Sequence, residues 1–389
     1  MKARFALALL CLALNAHAFD LQGHRGARGL APENTLAGFA LALGIGVTTL
    51  ETDIALSRDG VLLISHDPAL NPDITRGPDG RFLSARGPVI RHTDFAELQR
   101  YDVGRLKPGT RYAEAYPAQQ PSDGARLPKL DELFALVKRS GNEQLRLALE
   151  LKLTPTAPDE TAAPEPFARA LVDAVRAAGL DKRTTILSFD WRALQAVQKI
   201  APEIGTVYLS IQRPNFDTIG AGKPGASPWT AGIAYADHGS VPKMIRAAGG
   251  RIWSSFHGDL DAAKVKEAKA LSLTVLAWTV NDPAQIARVM DLGVDGIVSD
   301  RPDLVRAEMQ RRGMPLPAAT PVIVDTTWIR NSSRVIAKAT VGDCLRSAAK
   351  GLRPRSRCVR ARTRRRVQQA SEVFTFNTKV QQRAQRQAC

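Results

Sequence analysis

The body of this chain has no cysteine. The four cysteines are Cys11, Cys344, Cys358 and Cys389. Nothing from residue 12 to residue 343 can be closed by a disulfide, so the fold must rest on an apolar core. A second long apolar run is also missing, and beyond the N-terminus no stretch is long enough to span a bilayer. The body lacks an excess of charge of either sign as well. The formal net charge is +16, but from Met314 onward 16 Lys and Arg stand against three Asp and Glu. Lys2 and Arg4 add two more positive charges, which leaves residues 19–313 nearly neutral. A nucleic-acid-binding body is therefore not indicated; the basicity belongs to the ends.

The ends differ from the body in kind. Lys2 and Arg4 precede an apolar stretch, Phe5 to Leu14, and Ala16-His17-Ala18 follows as an A-x-A cleavage site. This is the layout of a secretory signal peptide over residues 1–18, with a mature chain from Phe19. The bland alternative is an uncleaved anchor. Leu10 before Cys11 is too large for lipoprotein processing. The expectation is export to a bacterial periplasm or beyond. Residues 314–389 open with Pro315-Leu316-Pro317 and carry a dense basic run from Arg353 to Arg366. They show no core-forming periodicity and read as a disordered basic tail, either a weak contact for anionic surfaces or a sequence artefact. Three cysteines remain there, so at least one thiol is unpaired.

Between the ends, strand-like and helix-like segments alternate. Strands are expected at Asp20–His24, Thr48–Leu56, Leu145–Leu151, Thr184–Phe189, Gly205–Ile211, Arg251–Phe256, Leu273–Val280 and Gly296–Ser299. Helices fill the gaps, several closed by Gly179, Gly249 or Gly293. Eight strands favour an α/β fold of the TIM (β/α)₈ type over an open sheet. Two Gly- and Pro-rich segments interrupt the alternation. Residues 67–127 read as a small inserted lobe after strand 2, and 212–237 as a long loop, both on the active-site end.

The chemistry-bearing residues cluster early. Glu51 and Asp53 are two apart on a strand, so both carboxylates share a face. A cation between them would relieve their repulsion, and oxygen ligands suit Mg²⁺ or Ca²⁺; the alternative is a solvated strand edge. Glu150 and Lys152 repeat the spacing in an apolar strand. They are either a third metal ligand beside a lysine holding a substrate anion, or a structural ion pair. His24 and His66 each end an extended run, placed for one to take a proton and the other to give one. Arg25 suits a phosphate, or is a surface arginine. Trp278 is barrel packing or an apolar wall for substrate. His92, His238 and His257 are read as structural, and Asp295 to Asp300 as a structural polar rim.

Taken in order, His24-Arg25-Gly26, Pro32-Glu33-Asn34-Thr35, Glu51-Thr52-Asp53, Asp59-Gly60, His66-Asp67, Glu150-Leu151-Lys152, Trp278-Thr279-Val280-Asn281 and Asp295-Gly296-Ile297-Val298-Ser299-Asp300-Arg301-Pro302 resemble the glycerophosphodiester phosphodiesterase family. The resemblance covers residues 20–305. It implies a TIM barrel that hydrolyses glycerophosphodiesters to an alcohol and sn-glycerol 3-phosphate with a divalent cation, Ca²⁺ or Mg²⁺. It implies that His24 and His66 are the acid/base pair, that Glu51, Asp53 and Glu150 hold the metal, and that Arg25 and Lys152 contact phosphate. The inserted lobe looks like the family's extra lobe, while the basic tail has no counterpart. The head-group alcohol, the choice of cation, the order of acid and base, and the nucleophile (glycerol 2-hydroxyl or water) stay open. Two rivals are a barrel phosphodiesterase acting on lysophospholipids or phosphoinositides, which an apolar rim on the lobe would favour, and an exported binding protein that adheres through its tail. The histidine pair argues against pure binding.

Overall fold

The computed structural model describes residues 19–324. The signal-peptide reading over residues 1–18 lies outside the described residues. So do the three tail cysteines and the Arg353–Arg366 run.

Strands and helices alternate along the body: β1 (Asp20–Gly23), α1 (Leu36–Ile45), β2 (Thr49–Leu56), α2 (Leu130–Arg139), β3 (Arg146–Leu151), α3 (Pro164–Ala178), β4 (Thr184–Ser188), α4 (Trp191–Ile200), β5 (Gly205–Ser210), α5 (Val241–Ala247), β6 (Ile252–Phe256), α6 (Ala262–Ala270), β7 (Thr274–Trp278), α7 (Pro283–Asp291), β8 (Gly296–Ser299) and α8 (Pro302–Arg311). The eight strands pair in parallel, each with the next. The ring closes at β1, where Gln22 lies opposite Thr49 of β2 on one side and Val298 of β8 on the other. This is the expected TIM barrel.

Local chemistry fixes where the helices begin. The loops leaving the strand ends finish on short polar residues that accept a backbone N–H of the first turn. Thr35 caps α1, Asp190 caps α4, Ser240 caps α5, Asp261 caps α6 and Asp282 caps α7. Gly179 closes α3 at φ 67°, a conformation costly for a residue with a Cβ. Strand alternation then sorts the apolar side chains. Leu147, Leu149, Ile186, Tyr208 and Trp253 point outward into the main core against the helices. Ala148, Leu187, Val207, Leu209 and Leu276 point inward and form a separate small cluster inside the barrel.

The insertion is a lobe with its own core. A short strand, Leu62–Ile64, runs antiparallel to the end of β2. Leu63, Leu70, Ile90, Phe95, Leu98, Val103 and Leu127 bury one another there, tied to the barrel through Ala55. The loop over 212–237 is more ordered than its composition suggests, holding a two-stranded hairpin of Gln212–Arg213 with Phe216–Asp217. Residues 314–324, expected to open a disordered tail, instead run back along α1. Thr320 N–H donates to Leu43 O at 2.9 Å, Arg306 donates to Pro317 O at 2.7 Å, and Met314, Val322 and Val324 pack on the core. Among the described residues no helix is long and apolar enough to cross a membrane.

Candidate active site

The inward alternation at the carboxyl ends of the strands divides the barrel mouth in two. From β1, β2 and β3 it presents His24, Glu51, Asp53, Glu150 and Lys152. From β4 to β7 it presents Leu187, Phe189, Leu209, Ser254 and Trp278. A cavity of about 200 Å³ sits between, lined by His24, Arg25, Glu51, His66, Glu150 and Lys152 on one side and Leu187, Phe189, Leu209, Ser254 and Trp278 on the other. One half is charged and the other apolar.

Glu51, Asp53 and Glu150 are all buried and bring one oxygen each within 4.8 Å of the others. Burial first, then the charges of Asp53 and Glu150, raise the Glu51 carboxyl well above its ordinary range. Burial would raise Asp53 too, but the Arg25 guanidinium overrides it, helped by His66 and Lys152, and holds Asp53 low. Asn34 donates to Asp53 Oδ2 at 2.9 Å. Asp53 Oδ1 has no hydrogen-bond partner although it is fully buried. An orphaned carboxylate oxygen beside two more carboxylates is what a hard divalent cation satisfies, so the residues fit such an ion.

The two basic residues expected at phosphate are tied to this cluster. Lys152 Nζ donates to Glu150 Oε1 at 2.7 Å and lies 3.6 Å from Asp53 Oδ1. Arg25 bonds Glu33 at 2.7 Å and lies 3.2 Å from Asp53, while its backbone N–H donates to Glu51 at 2.9 Å. Both still line the cavity. The turn that carries Arg25 presses on α1. A Cβ on Gly26, at φ 87°, would stand 2.7 Å from the Gly38 carbonyl carbon.

Each histidine is fixed through Nδ1 by an aspartate. His24 Nδ1 lies 2.6 Å from Asp300 Oδ1, and its Nε2 faces Glu51 at 3.9 Å. Burial pushes this imidazole down to about 4 despite the Asp300 charge, so it is neutral at physiological pH. Asp300 also takes two bonds from Arg28, at 2.7 and 3.0 Å, and one from Asn281 at 2.7 Å. Burial alone would raise the Asp300 carboxyl, yet His24 and Arg28 keep it far below its usual range. His66 Nδ1 lies 2.7 Å from Asp67, whose carboxyl is held at about 2; burial opposes that shift, and the His66 hydrogen bond drives it.

A model of the glycerophosphoryl diester phosphodiesterase family matches residues 24–304, from His24 to the start of α8. The chain belongs to that family. A Silicibacter pomeroyi structure assigned to the same family is similar, with 34% identity, a TM-score of 0.68, and coverage of 76% of this chain and 95% of that one. An Oleispira antarctica phosphodiesterase, solved with its product sn-glycerol 3-phosphate, is 25% identical at TM-score 0.54 and covers 74% of this chain and 96% of its own. The glycerophosphodiester phosphodiesterase of Caldanaerobacter subterraneus is 25% identical over 286 residues, 72% of this chain and 93% of its own length.

The phosphodiesterase site contains groups that the sequence reading did not single out. Asp300, taken for part of a structural rim, holds His24. Asn34 joins Asp53 to Thr52, whose hydroxyl donates to it at 2.9 Å. Glu33 anchors Arg25, and Asn281 anchors Asp300. The motifs around them were visible, but their partners were not. The lobe closes over this network. Tyr112 O–H donates to Glu33, the Arg28 guanidinium lies 4.8 Å above the Tyr116 ring, and Gln119 donates to Arg28 O at 2.7 Å. Trp278 walls the cavity, with Phe189 edge-on at 5.4 Å and its own Nε1 donating to Ser254 O at 3.1 Å. His92, His238 and His257 are not among the residues that line it. Nor does the lobe carry the apolar rim that a lipid substrate would favour; the exposed large hydrophobics among the described residues are Leu41, Phe216, Leu316 and Ile323.

Proposed function

We propose that this protein is an exported, divalent-cation-dependent enzyme that hydrolyses glycerophosphodiesters to an alcohol and sn-glycerol 3-phosphate. The observation that carries the reading is a single small cavity lined by two Asp-fixed histidines and by Glu51 and Glu150, which cluster with the buried Asp53. The family membership and the product bound in the Oleispira relative support the substrate class. Export rests on the residue 1–18 pattern alone.

Glu51, Asp53 and Glu150 would hold the cation, which when bound offsets the charge that builds on the phosphoryl oxygens. The rest falls to side chains. Arg25 and Lys152 line the phosphate side and add positive charge there. His24, neutral and held by Asp300, presents Nε2 as the base that takes the proton of the attacking hydroxyl: water, which gives sn-glycerol 3-phosphate directly, or the glycerol 2-hydroxyl, which gives a cyclic 1,2-phosphate that a water molecule then opens with the two histidines exchanging roles. Its imidazolium is then stabilised by Asp300. His66, aligned by Asp67, gives a proton to the leaving alcohol oxygen as the P–O bond breaks. Phe189 and Trp278 screen the apolar side from water.

The test is product identity. Purified protein should release choline and sn-glycerol 3-phosphate from glycerophosphocholine. Release of glycerol and phosphocholine would place the cleaved bond on the wrong side of phosphorus and contradict the reading.

A further inference from the structure

The apolar half of the cavity has one feature that its apolar neighbours do not explain. Ser254 is 0% exposed, and its hydroxyl has no hydrogen-bond partner. It stands on β6 between Ile252 and Phe256, with Ile252 in the cluster inside the barrel and Trp253 in the core outside it, so Ser254 points inward. It lines the same cavity as the histidines, among Leu187, Leu209 and Trp278. Residues Ser210 and Ser255 nearby are equally buried but have bonds of their own, to Trp253 Nε1 and to Phe256 O. A buried hydroxyl without a partner is unfavourable unless a ligand supplies one.

We propose that Ser254 is the specificity residue for the glycerol moiety, accepting or donating a hydrogen bond to its terminal hydroxyl. The proposal rests on the phosphodiesterase reading above. The phosphate belongs among the cations and carboxylates of β1 to β3. Ser254, on β6, lies across the ring of strands from them. A glycerol phosphate whose phosphorus is on the charged side lays its carbon chain over Leu187 and Leu209 and brings the hydroxyl farthest from phosphorus toward Ser254. A cavity of about 200 Å³ suits glycerol 3-phosphate and leaves the other alcohol outside. Substrates without that terminal hydroxyl would leave Ser254 unpaired in the complex, which is how a buried polar group rejects an analogue.

The test compares glycerophosphocholine with the propane-1,2-diol analogue of the same phosphodiester, which lacks only the terminal hydroxyl. The wild type should prefer glycerophosphocholine in kcat/KM by about tenfold, roughly the contribution of one good hydrogen bond. In Ser254→Ala that preference should fall to near unity, and in Ser254→Cys, which keeps the size but weakens the bond, it should lie between. Circular dichroism of each variant guards against misfolding, and the ratio of two substrates on one protein sample is independent of the active fraction. An Ala variant that keeps the full preference overturns the proposal. So does a wild type that hydrolyses both esters equally well, although the phosphodiesterase reading then survives. A wild type that hydrolyses neither removes both.

Discussion

His24 and His66 differ in surroundings although the proposed mechanism pairs them. His24 is buried against Asp300 and Arg28; His66 sits at the edge of the cavity, its side chain 33% exposed, beside Asp67. Replacing either with Ala should lower kcat by about 10²–10⁴-fold, the usual contribution of a positioned acid or base. Steady-state kinetics on folded variants checks this, and near-normal kcat at either position would remove that residue from the mechanism. Asp300 makes a separate claim. Its folded carboxyl titrates below its ordinary 3.8, so the unfolded chain binds the proton first as pH falls. The stabilisation it contributes is present above about pH 4 and is lost on going lower. Asp300→Asn should therefore be less stable than wild type at pH 7, with a gap in Tm that narrows as pH is lowered from 5 to 3. A gap that stays constant or widens would show that Asp300 is not held ionised by His24 and Arg28.

The strands and helices were legible in the sequence because each is short, bounded by Gly or a capping Asp, Ser or Thr, and repeats in type. Their edges moved by one or two residues. The strand expected over Leu273–Val280 pairs only over Thr274–Trp278, and the one expected over Thr184–Phe189 ends at Ser188. The carboxylates of β2 and β3 were legible for the same local reason, since alternation alone puts Glu51 with Asp53 on one face. What sequence could not show is pairing across the barrel. His24 and Asp300 are 276 residues apart, and so closure of the ring, not spacing, makes them partners. The same holds for Arg28 with Asp300, while Tyr112 meets Glu33 because the lobe folds back over the loop after β1. Lys152 illustrates the opposite limit. Its spacing from Glu150 allowed both an ion pair and a substrate contact, and the structure shows the pair made while the side chain still borders the cavity.

For the whole chain, the question is where the folded unit ends. Since Met314, Val322 and Val324 pack on the barrel, truncation after Gly313 should lower Tm, whereas truncation after Val324 should leave cooperative unfolding and turnover at wild-type values. Equal Tm for both truncations would show that residues 314–324 contribute nothing. The basic remainder, if it has a role, attracts the protein to anionic surfaces, and salt at physiological strength should weaken that attraction. Full-length and Val324-truncated proteins that adsorb equally to phosphatidylglycerol vesicles would reject this idea.

The most direct measurement is turnover of glycerophosphocholine by the purified protein before and after treatment with EDTA, followed by addition of Ca²⁺ or Mg²⁺. Glu51, Asp53 and Glu150 predict that chelation abolishes release of sn-glycerol 3-phosphate, that one cation restores it, and that Glu51→Gln needs a higher concentration of that cation. Full activity in excess EDTA, in protein that metal analysis shows to be free of divalent ions, would contradict the account.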